Sequence, residues 1–76
     1  MLEFGQIIMT YPYGETRWVT IWSLNKLERR EVLDVYYPPL AINQFVSFKR
    51  ASGDRLYDLK VIDKADLPKN FELGCI

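Results

Sequence analysis

Few residues of this chain could carry out acid–base or metal chemistry, and their types exclude most familiar active sites. The sequence contains no histidine and a single cysteine, Cys75. Zinc sites and Ser-His-Asp or Cys-His systems need those side chains, so we expect no catalytic residue, no metal site and no cofactor. Asp63 and Asp66 could form a carboxylate pair, but Lys64 and Ala65 between them indicate a solvated turn instead of a buried acid/base pair. The sequence therefore predicts a binding protein, not an enzyme.

The aromatic residues are the stronger functional signal. Residues 16–24 alternate, with Val19 and Ile21 on one face and Trp18 and Trp22 on the other. If the aliphatic face points into the core, both tryptophans point outward, and Tyr36 does the same on a later strand. Such rings can stack on unpaired bases, each stack contributing about 1–3 kcal/mol. Four basic side chains on strand edges and in a later turn could contact phosphates: Arg17, Lys49, Arg50 and Arg55.

The alternative for the same tryptophans is a structural role. Large aromatics dominate small cores, and the tail residues Phe71 and Leu73 could cover Trp18 or Trp22. Both interpretations, stacking surface and core, remain open at this point.

Length and composition bound the architecture and the partners. The 76 residues, 49% hydrophobic, fit one domain spanning the whole chain. Ten basic and ten acidic residues cancel, which disfavours tight duplex binding more than stacking-based single-strand binding. We find no apolar run long enough to cross a bilayer and no signal-peptide pattern at the amino terminus. With one cysteine and hence no internal disulfide, we expect a cytoplasmic protein and no membrane partner.

The local patterns predict five short strands, at residues 3–11, 16–24, 32–37, 44–50 and 55–62. Tyr11-Pro12-Tyr13-Gly14 suits a type I turn between the first two, and Gly53 permits a positive φ between the last two. Residues 25–31 are either a short helical turn, because Asn25 and Glu28 match a capping box, or a solvated loop. The tail, residues 63–76, is weakly patterned. These features predict an all-β fold, a small five-stranded antiparallel barrel of the OB type.

Three blocks of the chain resemble the cold-shock domain family. Residues 5–20 resemble its opening G-K-V-K-W-F strand and G-F-G-F-I-T motif, residues 34–42 (DVYYPPLAI) resemble D-V-F-V-H-F-S-A-I, and residues 43–48 (NQFVSF) resemble G-Q-K-V-S-F. The resemblance implies an OB barrel that binds single-stranded RNA or DNA. It places Trp18 and Tyr36 at family aromatic positions and Met9 where the family has tryptophan. Pro38 and Pro39 replace the family's histidine and following aromatic, so the scaffold is better preserved than the binding face.

Two functional hypotheses follow. The first is single-stranded nucleic-acid binding, most simply of RNA, through Trp18, Tyr36, Trp22 and Met9. The second is a protein-interaction module that docks the same aromatic face on a larger protein, which it would regulate or inhibit, or on a second copy of itself. A Trp-rich patch with balanced charge is typical of protein interfaces.

Overall fold

The chain folds into a closed five-stranded barrel. The structure is a computed structural model that describes residues 2–13, 16–34 and 39–71. The strands are β1 (Glu3–Tyr13), β2 (Thr16–Ser23), β3 (Lys26–Val32), β4 (Phe45–Arg50) and β5 (Leu56–Ile62), with short 3₁₀ turns at Ser52–Asp54 and Lys64–Asp66. Around the barrel the order is β1-β2-β3-β5-β4. No helix among the described residues has the length and apolar character to cross a membrane.

The predicted all-β, five-stranded barrel is confirmed, with one correction to its strand directions. Four of the five neighbouring pairs are antiparallel, but β3 and β5 pair in parallel, at Val32 and Leu56. A closed sheet of five strands cannot alternate direction all the way round. One parallel pair is therefore required, and it falls between β3 and β5.

Both predicted hairpins are confirmed, and their limits shift by a few residues. β1 continues past the predicted turn, because Pro12 lies in the strand opposite Arg17. The predicted turn at Tyr11–Gly14 is therefore wrong, and the β1–β2 connection at residues 14–15 lies outside the described residues. In the second hairpin Gly53 has φ of 74°, as predicted for this turn.

The segment at residues 25–31 is neither a helical turn nor a loop, and this prediction is wrong. It forms most of β3, paired with β2 from Ser23↔Lys26 to Arg17↔Val32. Leu24 and Asn25 make the two-residue connection with φ of 53° and 62°, the positive values that a type I′ hairpin turn requires. The third strand thus ends at Val32 instead of running from 32 to 37, and residues 35–38 lie outside the described part.

The core is small and mostly aliphatic. Its fully or nearly fully buried members are Ile7, Val19, Ile21, Val32, Val46, Phe48, Leu56 and Leu59. Gly5 faces this core, since a Cβ there would lie 2.6 Å from Cδ1 and Cγ1 of Ile21. No side chain larger than hydrogen fits at this crossing of β1 over β2 without displacing its neighbour.

The β3–β5 seam closes largely through one side chain. Beyond Val32↔Leu56, the Leu33 N–H donates to the Leu56 carbonyl at 2.8 Å. The Asp34 carboxylate then accepts the backbone N–H groups of Asp58 and Leu59, each at 2.8 Å. These two donors belong to a bulge in β5, where Asp58 has φ of 56° and the register with β4 shifts. Asp34 thus satisfies backbone groups that the bulge removes from the sheet.

An ion-pair network, which we call the Arg50 network, replaces apolar packing between the starts of β1 and β3 and the end of β4. Arg50 Nε lies 2.9 Å from Glu3 Oε2, and its Nη2 lies 2.7 Å from Glu28 Oε2. Glu28 also contacts Lys26 at 3.2 Å and Arg30 at 3.6 Å. Although it is charged, the Glu28 side chain is only 5% exposed. Since buried charges are retained only when paired, this network explains why β3 can place a glutamate on its inward side.

Candidate functional site

The outer side of β1, β2 and β3 carries the aromatic residues that the sequence pointed to. Val19 and Ile21 are fully buried, so Trp18 and Trp22, which alternate with them, face outward. Residues opposite each other in an antiparallel pair share a face, and the register gives three rows across the strands. These rows define the β2 face: Tyr11–Trp18–Glu31, Met9–Thr20–Arg29 and Gln6–Trp22–Leu27.

The two tryptophans are partly buried within this outer face and belong to no core cluster. Met9 and Leu27, beside them, are 53% and 51% exposed. The core alternative proposed that Phe71 covers Trp18 or Trp22. Phe71 packs edge-to-face on Phe45 of β4, with ring centroids 6.4 Å apart. Leu73 lies outside the described residues.

The β2 face is close to electrically neutral. Its charged members are Arg29 and Glu31, which project from the same side of β3. Arg17 is not part of this face, because it pairs with the buried Val32 and so projects from the inward side of β2, where its Nη1 donates to Thr10 Oγ1 at 3.2 Å. A ligand lying across the β2 face would therefore meet mostly aromatic, thioether and aliphatic surface.

The other predicted phosphate contacts are placed elsewhere. Lys49 lies on β4 and pairs with Asp58 at 3.4 Å. Arg55 follows the turn at Ser52–Asp54, and its Nε donates to the Ser52 carbonyl at 3.1 Å. Arg50 is held in the Arg50 network, with a side chain only 17% exposed. None of these three lies on a strand that neighbours β2.

Of the eight predicted site residues, the structure thus brings three together on the β2 face, Met9, Trp18 and Trp22, while Arg17 projects from the opposite side of β2. Lys49, Arg50 and Arg55 are separated from it. Tyr36 lies outside the described residues.

The sequence reasoning missed the third strand of the face. Leu27, Arg29 and Glu31 were assigned to a loop or helical turn, yet they complete the three rows. The local signal was present in Asn25, which tolerates positive φ and therefore suits a tight turn directly after a strand. The alternation that follows was hidden because its inward positions carry Glu28 and Arg30 instead of apolar residues.

The Arg50 network shifts the pKa values of its two central groups. Burial alone would raise the pKa of Glu28, but hydrogen bonds from Arg50 and Lys26 and the charges of Arg50 and Arg30 outweigh it, so the pKa of Glu28 is lowered. For Arg50 burial would lower the pKa, and the hydrogen bonds and charges of Glu28 and Glu3 raise it. Both groups are therefore held in their charged forms, as expected of a structural ion network.

Among the residues that the structure describes, no group of three or more acidic, cysteine or histidine side chains could hold a metal ion. The cold-shock resemblance remains a prediction from sequence. Comparison of the chain with protein-family models, with curated proteins and with solved structures found no match.

Proposed function

We propose that the chain binds single-stranded nucleic acid, most simply RNA, across the β2 face of an OB-type barrel. The observation that carries the proposal is the outward placement of Trp18 and Trp22 on one three-stranded sheet, beside the half-exposed Met9 and Leu27. The closed strand order β1-β2-β3-β5-β4 supports assignment to the OB type. The cold-shock resemblance of residues 5–48 supports the ligand class. The single cysteine of the sequence supports a cytoplasmic location.

The spacing of the rings suits a strand of unpaired bases. Trp18 and Trp22 are four residues apart on β2, which at about 3.3 Å per residue separates their Cα atoms by roughly 13 Å. Each stack is worth about 1–3 kcal/mol, so two stacks give about 2–6 kcal/mol, which corresponds to a Kd of about 40 μM at the upper end before contacts to Met9 and Leu27 are added.

Because the β2 face is nearly neutral, we expect the binding constant for a single strand to depend only weakly on salt concentration. For single strands the slope of log K against log salt is about −0.7 for each phosphate neutralised. With Arg29 as the cation on the described part of this face, we expect a slope of about −0.7. A binder that relied on electrostatics through six to ten phosphate contacts would have a much steeper one.

The test is a fluorescence titration with an unstructured oligonucleotide at low and moderate salt. Stacking should quench tryptophan emission, and Trp18→Ala should weaken binding by about thirtyfold, which corresponds to about 2 kcal/mol, the middle of the range for one base stack. Tyr57→Ala is the matched control, because Tyr57 is 39% exposed on β5, which does not neighbour β2. Absence of quenching at micromolar protein, or equal losses in the two variants, would overturn the proposal.

The second candidate is a protein-docking module, and one observation favours it. Arg29 and Glu31 offer opposite charges at the rim of an apolar patch that includes Met9 and Leu27, an arrangement typical of protein interfaces. If the face serves self-association, the apparent mass in size-exclusion chromatography should rise with concentration, and Leu27→Glu should abolish the rise. A monomer at all concentrations would exclude the self-association form.

A further inference from the structure

A groove of about 380 Å³ lies next to the row of the β2 face that contains Gln6, Trp22 and Leu27. It is bounded by the start of β1, the β2–β3 turn and the segment after β5. Its lining includes the aromatic residues Phe4 and Phe71, the exposed Leu24 and two asparagines, Asn25 and Asn70. The volume is at the lower end of the range for small-ligand sites, which are also mainly apolar with a few polar groups.

Specific contacts build both walls of the groove. On one side, Ser23 Oγ donates to the Phe4 carbonyl at 2.9 Å and ties β1 to the end of β2. The other wall, which contains Pro68, Asn70 and Phe71, follows the turn after β5, where Asp63 and Asp66 form a reciprocal capping box.

The chain then turns again, with the Phe71 N–H donating to the Pro68 carbonyl at 3.0 Å. The edge-to-face contact with Phe45 holds the Phe71 ring against the barrel. The groove is thus a formed feature of the fold.

The groove continues the β2 face without interruption. Glu3 and Gly5 pair with the buried Phe48 and Val46, so Phe4 between them faces outward, on the same side as Gln6. Gln6↔Trp22 is the last residue pair of β1 and β2 at this end, and Phe4 and Leu24, two residues further along the chain from Gln6 and Trp22, both line the groove. A chain lying over Trp18 and Trp22 would therefore reach the groove one row, roughly 7 Å, beyond Trp22.

We infer that this groove receives one unpaired base of the strand that crosses the β2 face; the inference rests on the proposed function. Two aromatic rings offer stacking surface for a planar heterocycle, and the amides of Asn25 and Asn70 can donate to and accept from the edge of a base. None of the described residues that line the groove is cationic, and the one charged residue among them, Glu3, is bonded to Arg50. The site therefore recognises a base and not the backbone.

The experiment compares oligothymidylates of about three to about eight nucleotides, within the range of sites found on OB folds. Short oligonucleotides should contact the tryptophans alone, and longer ones should gain affinity when the next base reaches the groove. Phe71→Leu keeps an apolar side chain against Phe45 and removes the stacking ring. We expect it to lower affinity for the longer oligonucleotides by about fivefold or more, the lower end for loss of one base stack, and to leave the short ones unchanged.

Tyr57→Leu on β5 is the matched control, and thermal melting should confirm that both variants fold. In amide NMR spectra, the side chains of Asn25 and Asn70 should shift with long oligonucleotides and not with short ones. If tryptophan quenching persists at every length while Phe71→Leu and the asparagine signals show no length dependence, the groove inference is wrong and the proposed function stands. If no length quenches tryptophan, the proposed function itself fails.

Discussion

Removing the Arg50 guanidinium should destabilise the barrel strongly without acting on a ligand. Arg50→Met keeps a long apolar stem and leaves Glu3 without its hydrogen bonds and Glu28 with only Lys26 and Arg30. Breaking a buried ion pair by removing one partner costs about 3–5 kcal/mol. Glu28 is nearly inaccessible but Arg50 and Glu3 retain some solvent contact, so we expect the lower end, about 3 kcal/mol.

The assay is chemical and thermal unfolding. For a domain of this size a loss of about 3 kcal/mol lowers Tm by about 12–24 °C, at about 4–8 °C per kcal/mol. A total stability of roughly 4–11 kcal/mol is typical for this length, so the variant should still fold in the cold.

Lys49→Met is the control, because its pair with Asp58 is exposed and such pairs contribute about 0–1 kcal/mol. The double variant Glu28→Gln/Arg50→Met should lose less than the sum of the two single variants, since they remove the same interaction. Equal losses of unfolding free energy in Arg50→Met and Lys49→Met would refute the structural role of Arg50. If folded Arg50→Met loses affinity for the oligonucleotide, Arg50 contacts the ligand, as the sequence predicted.

Three further predictions follow from the packing and the ion pairs. Gly5→Ala should destabilise by about 1–3 kcal/mol, because its Cβ would press on Ile21; a melting temperature at or above the wild-type value would contradict the close contact. Asp34→Ala should cost about 2–4 kcal/mol, since two backbone N–H groups lose an ionised acceptor, and Asp34→Asn should cost less; equal unfolding midpoints for the two would argue against the bidentate bond. The folded-state pKa of Glu28 is lowered, so its contribution to stability is present above about pH 4.5 and lost as the pH falls through the folded-state pKa; denaturant unfolding at a series of pH values should show a smaller acid loss in Glu28→Gln than in wild type.

The sequence was most informative where apolar alternation was intact. β2 alternates Val19 and Ile21 with Trp18 and Trp22, and the structure places the first pair in the core and the second outside. The β4–β5 hairpin was equally predictable, because Gly53 marks its turn and apolar runs flank it. In both cases the information is local, and neighbouring residues are enough to decide.

The sequence was misleading where an element depends on distant partners. Glu28 sits at an inward position only because Arg50, 22 residues later, accompanies it into the barrel. No local pattern reports this pairing, so β3 resembled a solvated loop. For the same reason Arg50 looked like a surface cation, and the aromatic face lacked the strand that contributes Leu27 and Arg29.

The side-chain closure at Asp34 also bears on the order of folding. β1, β2 and β3 are joined as consecutive hairpins, and β4 and β5 form another, so most pairing within these units connects near neighbours in the chain. Two junctions join these units: β1 pairs with β4 through four residue pairs, whereas the seam has one residue pair and the Asp34 carboxylate. Non-local contacts form only after the cost of closing a loop, and the junction with fewer contacts gives the smaller return for that cost. We therefore expect the seam to form after the rate-limiting step, so that Asp34→Ala would speed unfolding and leave the refolding rate nearly unchanged. The barrel would then have a defined place where it opens first, between the strand that completes the β2 face and the bulge of β5.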